Sequence, residues 1–123
     1  MSAIYIDDDA ITRFFVLKSL KMKGFNIHEA GNGKEGIEVI KSNSDIDTVL
    51  LDLNMPVMNG YNFLNEVSKD TSLTHLKIIV TSAVGKDIFV KEAQNNNISI
   101  NQVVGYLEKP IHLPDLISYL SVN

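Results

Sequence analysis

Short apolar runs alternate with longer amphipathic stretches along the whole chain. Residues 3–7 open it: Ile4, Tyr5 and Ile6 form an unbroken apolar run that ends in acid, the pattern of a strand buried on both faces. A helical stretch follows and ends near Gly24, which suits the left-handed conformation just past a helix, while Lys18, Lys21 and Lys23 suit the negative end of its dipole. Residues 25–30 read as a second strand, Gly31-Asn32-Gly33 as a turn, and residues 34–42 as a helix carrying Ile37, Val39 and Ile40. The beat then repeats. Residues 48–52 form another apolar strand ending in acid, and a proline-containing loop over 53–59 leads through Gly60 into a helix with Phe63, Leu64 and Val67. Residues 77–81 predict a fourth strand, 86–94 a helix, 103–108 a fifth strand, and 114–120 a last helix with Leu116, Ile117 and Leu120.

Five strands alternating with five helices imply a doubly wound α/β fold, a five-stranded parallel sheet with right-handed crossovers and helices on both faces. In such sheets ligands bind beyond the carboxyl ends of the strands, where the strand order reverses. The chemistry is therefore expected at the strand ends.

Composition narrows the class. At 123 residues, with 45% apolar and 21% charged positions, the chain is expected to form one globular domain over residues 1–123. It has no cysteine, which excludes disulfides and thiolate metal sites. The first residues carry no basic leader and no apolar run reaches bilayer length, so a soluble, cytoplasmic protein without membrane contact is expected. A net charge of -4 disfavours direct nucleic-acid binding, which depends on clustered Lys and Arg.

The strand ends carry Asp7-Asp8, Asp52, Thr81 and Lys109. Converging carboxylates repel one another, and a hard divalent cation removes that cost; Mg²⁺, which prefers oxygen ligands and keeps several waters, matches the donor set. A carboxylate beside such a metal can attack phosphorus and form an aspartyl phosphate. Lys109 then offers a mobile cation and Thr81 a hydroxyl for phosphoryl oxygens. The blander account is that an aspartate at a strand end simply caps the next helix, and it is accepted for Asp9. It does not explain five such residues at one edge.

Ile6-Asp7-Asp8-Asp9, Leu51-Asp52-Leu53-Asn54-Met55-Pro56, Asn59-Gly60, Val80-Thr81-Ser82-Ala83 and Tyr106-Leu107-Glu108-Lys109-Pro110 together resemble the CheY-like receiver domains of two-component signalling, over essentially the whole chain. The resemblance implies a flavodoxin-like strand order 2-1-3-4-5. It further implies a phosphorylation-dependent switch rather than a turnover enzyme, with Asp52 as phosphoacceptor. Asp8, Asp52 and the backbone carbonyl of Asn54 would bind Mg²⁺ directly and Asp7 through water. Thr81 and Lys109 would read the phosphoryl group, and Tyr106 would be the aromatic that turns inward when Thr81 moves. A cis Lys109-Pro110 bond is also implied. The expected partners are a histidine kinase or phosphotransfer protein and an unidentified downstream protein, with the chain a monomer or weak dimer.

Two features depart from the family pattern. The segment from Asn95 to Gln102 lengthens the path between Thr81 and Lys109, and its asparagines predict that the fourth helix stops there and an irregular loop follows. In the first helix, Ile11, Phe14, Phe15, Val16, Leu17 and Leu20 spread round the circumference, so some apolar surface is expected to stay exposed, with Ile11 or Phe14 docking the phosphodonor.

The main alternative is a haloacid-dehalogenase-like phosphatase, reading its Asp-x-Asp signature into Asp7-Asp8-Asp9; it lacks a late acidic pair and leaves Asp52 unexplained. A flavin site would need hydroxyls and backbone donors after the first strand, where this chain offers acid. A pure interaction module has no use for the full set of chemical residues. His28, His75 and His112 are read as surface or partly buried structural histidines.

Overall fold

The computed structural model describes residues 2–54 and 59–121. In chain order the elements are β1 (Ser2–Ile6), α1 (Ala10–Met22), β2 (Ile27–Ala30), α2 (Gly33–Ser42), β3 (Ile46–Asp52), α3 (Gly60–Lys69), a single 3₁₀ turn (Thr71–Leu73), β4 (Lys77–Ser82), α4 (Lys86–Asn95), β5 (Val103–Glu108) and α5 (Leu113–Ser121). All neighbouring strands are parallel, in the order β2-β1-β3-β4-β5. The order reverses between β1 and β3, which puts the carboxyl ends of those two strands at the switch point.

The two-residue period of the strands divides the core. Ile4, Ile6, Val49, Leu51, Ile78 and Val80 face one side, where Ile40, Phe63, Leu64, Val67 and Phe89 arrive from α2, α3 and α4. Ala3, Tyr5, Leu50, Ile79 and Leu107 face the other, against Val16, Leu17 and Leu20 of α1 and Leu116 and Leu120 of α5. Each fully buried aliphatic side chain contributes about 1.5–3 kcal/mol relative to exposure. The sheet is thus held from both faces, and its strand ends are rigid mounts.

Element boundaries differ from the sequence expectation in ways the caps explain. The Gly31-Asn32-Gly33 turn is also a helix start: Asn32 accepts the N–H of Glu35, so α2 begins at Gly33. Asp70 caps the 3₁₀ turn by accepting from Ser72, an element too short to leave a periodic signal. β3 begins at Ile46, before the continuous apolar run, because Asp47 interrupts the pattern there. At α1 the outward face does carry Ile11, Phe14 and Phe15, at 71%, 58% and 61% exposure, while Val16, Leu17 and Leu20 go into the core. Among the described residues, no helix is long and apolar enough to cross a membrane.

Candidate functional site

The sheet register assembles the site. Asp52, the last residue of β3, pairs with Thr81 of β4, and Thr81 pairs with Leu107 of β5, two residues before Lys109. Asp7 and Asp8 follow the last residue of β1, the neighbour of β3 on its other side. All five residues singled out from sequence therefore meet at one edge. One ligand oxygen from each of Asp7, Asp8 and Asp52 lies within 4.8 Å of the others. Among the described residues this is the one group of acids or histidines close enough to hold a metal ion. His28, His75 and His112 take no part in it; His112 instead lies 3.3 Å from Asp115 on the surface.

Burial makes this edge chemically unusual. Asp7, Asp52 and Thr81 are 0%, 2% and 0% exposed, whereas Asp8 faces solvent. Lys109 is the cation of the cluster, with Nζ 3.3 Å from Asp52 Oδ2 and 3.7 Å from Asp7 Oδ2. One ammonium cannot neutralise three carboxylates. Burial pushes the Asp52 carboxyl up to about 6, with the Asp7 charge adding to the rise, while Lys109 and the Asn54 N–H oppose it. The three acids could hold a hard cation, which would supply the missing positive charge, and oxygen-only donors without thiolate or imidazole fit Mg²⁺.

Local structure fixes each group. The Asn54 N–H donates to Asp52 Oδ1 at 3.2 Å, and the Lys109 N–H donates to the Ser82 carbonyl at 2.7 Å. The Thr81 hydroxyl reaches the Leu51 carbonyl only at 3.5 Å, so it is weakly committed and can turn towards a better acceptor. Asp9 is the α1 cap, accepting from the N–H groups of Ile11 and Thr12. Beside Asp52, Gly60 permits α3 to start against the strand end: a Cβ there would lie 2.6 Å from Leu53 Cα and 3.0 Å from the Asp52 carbonyl. Met55 and Pro56 fall outside the described residues.

The half-buried Tyr106 ring lies 5.3 Å from Phe89, which lies 5.8 Å from Tyr61, an aromatic row crossing from β5 to α3 through α4. Its hydroxyl donates to the Val84 carbonyl at 2.6 Å, in the loop after Thr81. The Lys109-Pro110 bond is cis, as the family resemblance implied.

Comparison with known proteins agrees with this geometry. Residues 3–121 match the model of the response regulator receiver domain. The chain belongs to that family. The receiver is 32% identical to the chemotaxis protein CheY-3 of Vibrio cholerae over 111 residues, covering 89% of this chain and 81% of that one. It is 43% identical over 83 residues to the sensor histidine kinase CheAY of Helicobacter pylori, covering 66% of this chain but only 10% of that much longer protein. Among solved structures, the chemotaxis protein CheY4 of Vibrio cholerae superposes with a TM-score of 0.81 at 23% identity, covering 97% of this chain and 94% of that one, a likeness that bears on the fold. The receiver is thus a phosphorylation-dependent switch of two-component signalling. The phosphatase alternative is not supported: the match is to receivers, and Asp52, which it left unexplained, sits inside the acidic cluster.

One residue of the site escaped the sequence reading. Tyr5 was counted only as an apolar strand position, yet its hydroxyl donates to Asp7 Oδ2 at 2.7 Å with both residues wholly buried. The available signal was its spacing, since a residue two before Asp7 in a strand shares its face.

Proposed function

We propose that Asp52 is the phosphoacceptor and that the receiver takes its phosphoryl group from a phosphohistidine of a kinase or phosphotransfer protein. The observation that supports this most is a buried Asp52 carboxylate flanked by two further acids and by Lys109 at 3.3 Å. A carboxylate oxygen of Asp52 attacks phosphorus, the P–N bond to the donor histidine breaks, and the leaving imidazole takes up a proton. Mg²⁺, when held by Asp8, Asp52 and the Asn54 carbonyl with Asp7 acting through water, would offset the charge that gathers between acceptor and donor. Lys109 then turns from Asp52 to a phosphoryl oxygen, and the Thr81 hydroxyl, loosely held at 3.5 Å, donates to another. As Thr81 moves, the loop through Val84 moves with it, and Tyr106, tied to the Val84 carbonyl, carries the change to the α4 and β5 face.

For the donor, the exposed Ile11 and Phe14 at the start of α1 offer apolar surface near the acidic edge, where a helix of the phosphohistidine protein would pack. Incubation with a small phosphodonor and Mg²⁺, followed by mass mapping, tests the centre of this reading: phosphate is expected on Asp52 and absent from Asp52→Asn. Phosphate elsewhere, or retained in the variant, defeats it. Polar substitution at Ile11 and Phe14 is expected to slow transfer from the kinase while leaving reaction with the small donor intact; equal slowing of both would remove the docking role.

A further inference from the structure

The row of side chains beneath the acidic cluster has one polar member. Tyr5 pairs with Leu50, and Leu50 with Ile79, on the sheet face covered by α1 and α5. Two residues further along the same strands and on the same face stand Asp7, Asp52 and Thr81. An aliphatic residue would satisfy the core at position 5 as Leu50 and Ile79 do at theirs. The phenol instead sends a hydroxyl up the strand to Asp7 Oδ2. Oδ1 of the same carboxylate accepts the Asp9 N–H at 2.9 Å, and the Arg13 guanidinium, itself paired with Glu29, donates to the Asp7 carbonyl at 2.5 Å. Asp7 is thereby gripped through both carboxylate oxygens and its backbone.

We propose that Tyr5 is a positioning residue: its hydroxyl orients the Asp7 carboxylate for Mg²⁺ and leaves Lys109 free to serve Asp52. This rests on the reading of the acidic cluster as a Mg²⁺ site. Tyr5 and Lys109 share one oxygen, Asp7 Oδ2, and Lys109 stands 0.4 Å nearer to Asp52 than to Asp7 (3.3 against 3.7 Å). Loss of the hydroxyl would strip a buried carboxylate of a hydrogen bond, a deficit that demands another donor. The nearest is the Lys109 ammonium. Lys109 would then close on Asp7, away from the place where it meets the phosphoryl group, and the freed carboxylate would lose its fixed angle to the metal. The phenol is the donor in this pair, since an ionised carboxylate can only accept.

Tyr5→Phe keeps the ring in the core and removes only the donor. Partners that orient ligating carboxylates typically change metal affinity by roughly 10–100-fold, and Asp7, acting through water, places Tyr5 at about the tenfold end. The test titrates Mg²⁺ alone calorimetrically into the full chain as wild type, Tyr5→Phe, Tyr119→Phe and Asp8→Asn. About tenfold weaker binding is expected in Tyr5→Phe and none of that loss in Tyr119→Phe. The half-saturating Mg²⁺ for phosphorylation by a small phosphodonor should rise by the same factor, with the rate recovered at saturating Mg²⁺. In the wild type, Mg²⁺ should also perturb the near-ultraviolet absorbance of a buried tyrosine, a signal that needs no variant and that Tyr5→Phe should abolish. A Tyr5→Phe protein that loses thermal stability equally with and without Mg²⁺ but titrates like the wild type overturns the proposal, as does a wild type with no tyrosine perturbation. A wild type that binds no Mg²⁺ overturns the metal reading as well; binding that Asp8→Asn loses and Tyr5→Phe keeps overturns the Tyr5 role alone.

Discussion

The acidic edge and the aromatic row from Tyr61 through Phe89 to Tyr106 stand on opposite terms with solvent and with their partners. At the edge, Asp7, Asp52 and Thr81 are buried, and both buried acids accept hydrogen bonds and face Lys109. Along the row, Phe89 is buried but Tyr61 and Tyr106 are half exposed, and the Tyr106 hydroxyl donates to the Val84 carbonyl. The first arrangement holds charge in one geometry; the second packs rings against one another with two of the three reaching solvent. On the function proposed above a switch needs both, and the Tyr106 hydrogen bond to the Val84 carbonyl, three residues after Thr81, would join them.

The largest effect should come from removing the centre of the row. Phe89→Ala takes a fully buried ring from between two tyrosines and is expected to cost about 3–5 kcal/mol in urea unfolding. If the two regions are as separate as their partners indicate, Mg²⁺ affinity of the folded variant stays at the wild-type value. A matching loss of Mg²⁺ binding would show that the edge depends on the row.

The edge is probed by pH. Burial raises the Asp52 carboxyl to about 6 in the folded protein, above its ordinary value near 3.8, so the folded state holds a proton that the unfolded state has released between those values. Metal-free wild type should therefore lose stability from this group as pH rises from about 4 to 6, by about 2–3 kcal/mol in all, and gain none of it back above. Asp52→Asn lacks that loss. The difference in unfolding free energy between variant and wild type, measured in a chelator, should grow with pH in this window and shrink when Mg²⁺ is added; a difference flat in pH would mean that Asp52 is not destabilised by its surroundings.

Most of the fold and of the edge could be read from the chain because one rule produced both. Apolar runs ending in acid mark parallel strands, and parallel strands bring their carboxyl ends together, so the convergence of Asp7, Asp8, Asp52, Thr81 and Lys109 at one edge is legible in the sequence. Tyr5 was missed because an aromatic residue inside an apolar run is the ordinary filling of a strand, and only the three-dimensional path of its hydroxyl sets it apart. The aromatic row was also hidden, since Tyr61, Phe89 and Tyr106 lie on three elements and nothing in their spacing links them.

A smaller change tests the hinge between the regions. Tyr106→Phe removes the hydrogen bond to Val84 but keeps the ring against Phe89, and should cost at most about 1 kcal/mol of stability. Mg²⁺ binding should be unchanged, while the spectral or structural response of α4 to phosphorylation should diminish. An undiminished response would move the coupling away from Val84.

The smallest effects distinguish two helix ends built alike. After α1, the Gly24 N–H donates to the Lys21 carbonyl and the Phe25 N–H to the Leu20 carbonyl, with Gly24 at φ 88°. After α4, the Asn97 N–H donates to the Gln94 carbonyl and the Ile98 N–H to the Ala93 carbonyl, with Asn97 at φ 54°. Both are left-handed caps that turn an apolar residue, Phe25 or Ile98, back onto the core. The glycine announced its cap in the sequence, whereas the asparagine run announced only that α4 would stop, because any of its members could have taken the left-handed place. Asparagine pays part of the steric cost that glycine avoids. Gly24→Ala should therefore destabilise by about 1 kcal/mol, and Asn97→Gly should stabilise by about half that, both read in urea unfolding. If Asn97→Gly instead destabilises, the Asn97 side chain contributes to the α4 terminus beyond its tolerance of the turn.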